Sequence, residues 1–184
     1  MPTRIHEFAW PDRVVVGTIG LPGSRTFYLQ VRAGAQLLSI AMEKQQSAVL
    51  AQKINEILDE LMRLEDNRFS VPSGTPIELV DNDPLEAVQE QFRTGAMSLG
   101  WDPSTAQIVI DAYPLPADDL DDTEHAPEVH EVEAPEKLRV LMPVGTARAF
   151  TMRTLEIVSA GRPICPLCGY PIDADGHTCT FPES

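Results

Sequence analysis

The fold of this chain is decided by residues 13–64, which begin RVVVGTIGLPGSRTFYLQVRAGAQLLSIAME. Residues 13–20 are rich in β-branched side chains, and residues 25–32 alternate apolar and polar side chains, as half-buried strands do. The Leu-Pro-Gly-Ser sequence between them has the composition of a turn. Residues 36–43 alternate again after Ala-Gly-Ala. This part of the chain is therefore predicted to be a three-stranded antiparallel meander.

The hydrophobic period changes after the third strand. Apolar side chains now recur at steps of three and four residues, at Leu50, Ile54, Ile57, Leu58, Leu61 and Leu64. This amphipathic pattern predicts a helix from Lys44 to about Leu64. Further along, Asp83-Pro84-Leu85-Glu86 combines an N-cap, a first-turn proline and a Glu that can reach back. A short helix is therefore predicted from residue 83 to about residue 91.

The second half of the chain repeats the order of the first half. Strands are predicted at 92–101 and 106–113, joined by an Asp-Pro-Ser turn. A third strand is predicted at 137–142, a break at 143–145 and a helix at 146–160 that ends before a glycine.

The order strand, strand, strand, helix thus occurs twice. The predicted fold class is α+β, with a mainly antiparallel sheet of about six strands and two principal helices on one face. Gly17 and Gly95 fall in comparable strands, which favours two β-β-β-α repeats. The sequence identity between the two halves is low, so the alternative is that they share this order of elements by coincidence.

The net charge of -14 is concentrated in one segment. Nine of the 28 acidic residues lie at 114–136, which has no Lys or Arg, so the rest of the chain carries 19 acidic and 14 basic residues. The segment lacks apolar periodicity and its like charges repel, so a disordered acidic loop is predicted there. Since the remainder has no cluster of Lys and Arg, nucleic-acid binding is not expected.

The chain shows no sign of membrane insertion or export. No apolar run approaches the roughly 18 to 20 residues that a membrane span needs. The N-terminus lacks the basic and then apolar organisation of a signal peptide, so a cytoplasmic protein is expected.

All three cysteines lie near the end of the chain, in ICPLCGYPIDADGHTCT at residues 164–180. A Cys-x-x-Cys-Gly turn brings two thiolates onto one ion, and Gly169 permits the tight backbone approach. The polar turn that follows reverses the chain, so a His and a Cys two residues apart supply two further ligands. The sequence therefore predicts one structural zinc ion per chain, bound by Cys165, Cys168, His177 and Cys179. Residues 163–184 are assigned to this C-terminal zinc knuckle and residues 1–162 to the α+β domain.

Two other interpretations of the cysteine cluster stay open. Cys165 and Cys168 could form a redox dithiol, although Pro166 and Gly169 indicate a loop rather than the helix start where such pairs usually lie. The cluster could also be a tail without metal. A segment of this size has almost no core of its own, so bound zinc would be what folds it.

The preferred functional hypothesis is a non-enzymatic adaptor or protein-binding module. It rests on an apolar cluster in a loop with no core of its own, which the zinc knuckle would present to a protein partner. The expected partner-binding residues are Leu167, Tyr170, Pro171 and Ile172.

The alternative hypothesis is an enzyme or a small-ligand-binding protein with a pocket where the sheet meets the Lys44 helix. Glu43, Lys44 and Gln46 would be its polar contacts. The competing interpretation of these residues is an ordinary helix start, at which Glu is favoured by the positive end of the helix dipole. The sequence has no phosphate-binding Gly-rich loop, no Ser/His/Asp arrangement and no paired His on a helix face. No catalytic residue is therefore assigned.

Two segments are the most specific for a comparison with known families: Glu43-Lys44-Gln45-Gln46 and the Cys-Pro-Leu-Cys-Gly…Gly-His-x-Cys ending at 165–179. With Glu7-Phe8, Pro11-Asp12-Arg13, Val16-Gly17-Thr18, Arg25-Thr26-Phe27, Phe92-Arg93 and Gly161-Arg162-Pro163, they give the chain a resemblance to an uncharacterised family of actinobacterial proteins. The resemblance covers nearly the whole chain and implies no known activity. It implies a protein partner, because members are thought to be encoded near a phosphoinositide-kinase-like and a histidine-phosphatase-like protein. The chain departs from the family pattern at 142–145 and in its short tail after Cys179, and neither departure touches a predicted zinc ligand.

The zinc prediction is tested by metal content per chain, measured by plasma mass spectrometry. We expect one zinc per full-length chain and none in a chain that ends at Arg162, because all four predicted ligands lie beyond it. Each sample is also used to recover partners from lysate, and loss of a partner with the zinc is expected for a recognition module. If the full-length chain contains no zinc, the preferred interpretation of Cys165 and Cys168 becomes the redox dithiol.

Overall fold

The computed structural model describes residues 3–21, 24–116, 135–159 and 167. None of the helices within these ranges combines the length and the hydropathy that a membrane span requires. The strands are β1 (Arg4–Ala9), β2 (Arg13–Ile19), β3 (Thr26–Ala33), β4 (Gln36–Met42), β5 (Glu90–Asp102), β6 (Gln107–Pro114) and β7 (Glu136–Pro143). The α-helices are α1 (Lys44–Met62) and α2 (Val144–Ser159), and short 3-10 helices lie at Glu65–Asn67 and Ile77–Leu79.

The described strands form one sheet with the order β1-β7-β6-β5-β4-β3-β2. Four of its strand pairs are antiparallel, whereas β1 with β7 and β4 with β5 are parallel. The α+β class and the two principal helices are confirmed. The sheet is mixed rather than wholly antiparallel, and it has a seventh strand, β1, that the sequence analysis did not predict.

The two edge strands of this sheet are neighbours in the chain. Only residues 10–12 connect the end of β1 to the start of β2, and a chain of that length reaches about 14 Å at most. In a flat sheet the outer two of seven strands would lie about 29 Å apart. Backbone hydrogen bonds join this connection to the strands next to both edges. The Trp10 N–H donates to the Leu141 carbonyl of β7 at 3.2 Å, and the Asp12 N–H donates to the Arg32 carbonyl of β3 at 2.9 Å. The sheet must therefore curl until its edges approach each other.

The core lies on the side of the sheet to which both helices turn their apolar residues. Every second residue of a strand faces this side. Val16, Leu29 and Ile40 are an example, because Leu29 pairs with Val16 on one side and with Ile40 on the other, and all three are fully buried. The helices contribute to the same buried cluster with Leu50, Ile54, Leu58, Ala147 and Phe150. Full burial of such a side chain contributes about 1.5–3 kcal/mol, so this shared cluster holds helices and sheet together.

Helix α2 covers the free edge of β2. Arg153 of α2 is 7% exposed, and its Nε donates to the Val16 carbonyl at 3.0 Å. Its Nη1 donates to the Asp81 carbonyl at 2.8 Å. Burial lowers the pKa of the Arg153 guanidinium from its ordinary value, and the Asp81 charge opposes that change. The guanidinium thus satisfies an edge carbonyl that, within the described part of the chain, has no strand partner on this side.

The prediction of a short helix at residues 83–91 is wrong. Residues 80–89 run without regular secondary structure across the outer side of β2 and β3, and we call them the strap. Gln30 of β3 holds the strap through two bonds to the backbone of Glu86: its Oε1 accepts from the N–H at 2.9 Å and its Nε2 donates to the carbonyl at 3.1 Å. A helix N-cap contributes only about 1 kcal/mol, which these long-range bonds outweigh.

Arg13 of β2 holds the other end of the strap. Its guanidinium forms a two-bond pair with the Asp81 carboxylate at 2.7 and 3.1 Å, and it also donates to the carbonyls of Asp83 and Pro84. The hydrogen bond from Arg13 lowers the pKa of Asp81, and Asp81 in turn raises the pKa of Arg13. Extended backbone leaves these carbonyls free to accept, whereas a helix would use them internally.

The ends of three predicted elements also shift. Helix α2 begins at Val144, directly after β7, so no break separates the two elements at 143–145. Residues 114 and 136 of the predicted acidic loop belong to β6 and β7. Residues 115, 116 and 135 are described and lie outside the strands, and residues 117–134 lie outside the described part of the chain.

The order β2–β3–β4–α1 is followed by β5–β6–β7–α2, as predicted, and the two halves lie side by side in the sheet. Their glycines have different surroundings, because Gly17 faces the side chain of Leu85 and Gly95 faces the backbone of Leu115. The shared order of elements is established, and its origin by duplication stays a prediction.

Replacing Gly17 with Ala tests how closely the strap lies on the sheet. The added Cβ would overlap Leu85 Cγ, so we expect the free energy of unfolding in urea to fall by about 1–3 kcal/mol. Leu85→Ala in the same chain should relieve the clash and give a favourable coupling in a double-mutant cycle. Additive losses would show that Leu85 does not lie over Gly17.

Candidate functional site

A cleft of about 580 Å³ opens between α1 and β5, and we call it the α1–β5 cleft. Its wall on the α1 side is one stripe of the helix, which runs from Gln45 to Glu60 and includes Val49, Lys53 and Ile57. These positions recur at steps of three and four residues, so they lie on one side of the helix. A stripe of this extent is about 22 Å long.

The wall on the β5 side is made by alternate residues of the strand. Met97 and Leu99 line the cleft and pack against the core cluster. Gly95 lines the end of the cleft where β5 contains a bulge. A Cβ on Gly95 would lie 3.0 Å from the Leu115 Cα and 3.1 Å from the Pro114 carbonyl oxygen, so glycine allows the end of β6 to pass closely.

Gln46 fixes the start of α1 against β5. Its Nε2 donates to the carbonyls of Thr94 and Gly95 at 3.1 and 3.0 Å. Its Oε1 accepts from the Glu43 N–H at 2.8 Å, in the arrangement of a capping box. Both amide hydrogens and the amide oxygen of Gln46 are thus used within the protein.

The alternative hypothesis named Glu43, Lys44 and Gln46 as polar contacts of a ligand pocket, and the structure gives these three side chains different roles. The Glu43 carboxylate pairs with Arg93 at the start of α1. Lys44 is exposed and does not line the cleft. Gln46 does line it, but its polar atoms hold α1 to β5. The helix-start interpretation of this segment agrees with these contacts.

The opposite side of α1 is fixed by α2. Arg148 is 8% exposed and its guanidinium donates to Asn55 Oδ1 at 3.0 Å, to Asp59 Oδ1 at 2.7 Å and to the Pro72 carbonyl at 2.8 Å. Buried charges are held by such complete sets of acceptors. The wall of the cleft that α1 provides is therefore rigidly placed.

The charged groups of the cleft lie at its rim. Lys53 Nζ lies 3.5 Å from Glu56 Oε2, and these two side chains are 60% and 65% exposed. An exposed pair of this kind contributes about 0.2–1 kcal/mol, so it does not order the site strongly. Glu60 adds a second carboxylate. The described lining thus combines an apolar floor with a rim of carboxylates, one ammonium and amide groups, which is chemistry suited to binding.

The predicted zinc site does not fall within the described part of the chain. Cys165, Cys168, His177 and Cys179 lie outside it, as do Tyr170, Pro171 and Ile172 of the expected partner surface. Leu167 is described and is 61% exposed. Among the described residues, no group of three or more His, Cys, Asp or Glu side chains is placed to hold a metal ion.

The sequence analysis placed a pocket at the junction of the sheet and the Lys44 helix, which is where the cleft lies, but of the three residues it named only Gln46 lines the cleft. Met97 and Leu99 were missed as cleft residues. Their alternation within the predicted strand 92–101 was the available signal, because residues two apart share one face of a strand.

The described chain is an α+β protein in which a curled mixed sheet packs against two helices and a mostly apolar cleft opens beside α1. It belongs to the DUF3090 family of proteins of unknown function, whose sequence profile matches residues 6–179. The predicted membership of an uncharacterised family is confirmed. Comparisons with curated proteins and with solved structures gave no match.

Gln46→Ala tests the structural role of this side chain. We expect the free energy of unfolding to fall by about 1–3 kcal/mol, because two carbonyls of β5 lose their donor. Gln45→Ala is the matched control, since Gln45 is exposed and should change stability by less than about 0.5 kcal/mol. Equal effects of the two variants in urea unfolding would contradict the assignment.

Proposed function

We propose that the protein is a non-enzymatic binding protein that holds an apolar part of its ligand in the α1–β5 cleft. The observation that carries this proposal is the apolar floor of Ile57, Met97 and Leu99 in an open cleft of about 580 Å³. Ligand sites commonly have volumes of about 300–1,000 Å³ and mostly apolar linings with a few polar groups.

The two walls support the proposal because each is held in place without a ligand. Gln46 ties α1 to β5 at one end of the cleft, and Arg148 ties the far side of α1 to α2. A site that is already formed loses less conformational entropy when it binds. Val49, at the cleft, is 40% exposed, and covering such apolar surface stabilises a complex by about 25 cal/mol per Å².

Titration with N-phenyl-1-naphthylamine, a neutral apolar fluorophore, tests the cleft. We expect saturable binding that Val49→Glu weakens at least about fivefold, because the ligand would then have to desolvate a carboxylate. Ile19→Glu is the matched control, since Ile19 is 51% exposed on β2 and does not line the cleft. No saturable binding, or equal loss in both variants, would overturn the proposal.

A second candidate function is the adaptor role of the C-terminal segment. In this proposal three thiolates and one imidazole form a closed structural zinc site, which presents Leu167, Tyr170, Pro171 and Ile172 to a protein partner. The exposure of Leu167 favours it. A phosphoinositide-kinase-like protein is the candidate partner by family resemblance alone. Comparing partner recovery by the full-length chain and by the chain that ends at Arg162 tests this role.

A further inference from the structure

We infer that the ligand of the α1–β5 cleft is an extended peptide segment of a protein partner, which adds as a strand to β5 and carries alternating apolar and basic side chains. This inference rests on the proposed function and names the ligand class of the same site.

The first observation is an unpaired edge on β5. The parallel pairing with β4 joins Ser39 to Glu90 and Ala41 to Arg93, and β4 ends at Met42. The antiparallel pairing with β6 continues on the other side of β5 as far as Asp102. Residues 97–102 of β5 therefore have a strand partner on one side and, among the described residues, none on the other.

The second observation is what lies along that edge. Gln46 bonds to the Thr94 and Gly95 carbonyls just past the point where β4 pairing stops, and α1 runs on from there along the cleft. A side-chain amide thus ends the backbone pairing, and the cleft begins beyond it. Unpaired N–H and C=O groups beside an apolar groove are the arrangement to which extended peptides add as strands.

The length of the cleft agrees with an extended segment of about six residues. Six residues of β5 extend about 20 Å, which matches the roughly 22 Å of the α1 stripe from Gln45 to Glu60. A helix bonds its backbone N–H and C=O groups internally, so it could not pair with the edge of β5 as an extended segment can.

The charged side chains at the rim of the cleft indicate which types of side chain the peptide carries. Along a strand, alternate residues would face Met97 and Ile57 and should be apolar, while the others face the rim. The described rim carries Glu56 and Glu60 against Lys53, which is itself paired with Glu56. Lys or Arg is therefore favoured at the rim-facing positions, and an anionic lipid or fatty acid is disfavoured.

The test uses the full-length protein and fluorescently labelled acetyl-Lys-Val-Lys-Val-Lys-Val-amide, with binding followed by anisotropy. We expect saturable binding and slower amide hydrogen exchange at alternate residues within 97–102, because the N–H groups that point away from β6 become paired. Methylating alternate backbone nitrogens on the peptide should weaken binding at least tenfold, since the donors are lost and the side chains are unchanged. Unchanged binding of the methylated peptide would overturn strand addition.

Charge reversal distinguishes binding of the peptide in the cleft from nonspecific attraction of a basic peptide to an acidic protein. Glu56→Lys with Glu60→Lys should weaken the Lys-Val peptide about tenfold and strengthen its Glu-Val counterpart. Glu65→Lys with Glu78→Lys is the matched control, because it makes the same charge change at exposed residues away from the cleft. Equal weakening by both pairs would overturn the site.

Competing ligands complete the test. A helical Leu/Lys peptide or decanoate that displaces the Lys-Val peptide and binds more tightly would overturn the extended-peptide inference. If the neutral fluorophore binds in a Val49-dependent way while the Lys-Val peptide gives no protection at residues 97–102, the inference fails and the proposed function stands. If neither binds, both fail.

Discussion

The constraint on which the rest of this structure depends is the short connection between the two edges of the sheet. Residues 10–12 join β1 to β2, and strands at opposite edges of a flat seven-stranded sheet would be too far apart for three residues to connect. The sheet therefore curls. Curling creates the single concave side on which both helices bury their apolar residues, and it leaves the edge of β2 to be covered by α2.

Long polar side chains hold the parts that this core does not reach. Arg153, Arg148 and Arg13 each donate both to carboxylates or amides and to backbone carbonyls of distant segments. The planar guanidinium suits this role because it offers five donors in a fixed geometry. Gln30 and Gln46 do the same with amide groups. The strap, the edge of β2 and the start of α1 all depend on such bonds, so removing one side chain would leave several backbone groups unpaired.

The Glu-Lys-Gln-Gln segment shows how this architecture changes a functional interpretation. The segment resembles a family motif, and a polar run at a strand-to-helix junction suggests the polar contacts of a ligand pocket. In the structure Glu43 pairs with Arg93 and Gln46 bonds to Thr94 and Gly95, so the segment positions α1 beside β5. Its placement creates the cleft, while apolar neighbours such as Met97 make the surface that a ligand would contact. The family-level expectation was confirmed, and its zinc ligands stay a prediction from the sequence.

The sequence by itself determined both long helices, six of the seven strands and the order in which they follow, because each has a local hydrophobic period of 3.6 or 2. Only the tertiary structure decided β1, whose residues are mostly exposed and which is defined by parallel pairing with β7 about 130 residues away. It also overruled the helix signal at Asp83-Pro84-Leu85-Glu86, where bonds from Arg13 and Gln30 hold the backbone extended. The cleft belongs to the same category, since it exists only because α1 stands beside the part of β5 that β4 does not reach. Local patterns fix which segments become helices or strands, whereas long-range hydrogen bonds decide how far each one continues and what lies next to it.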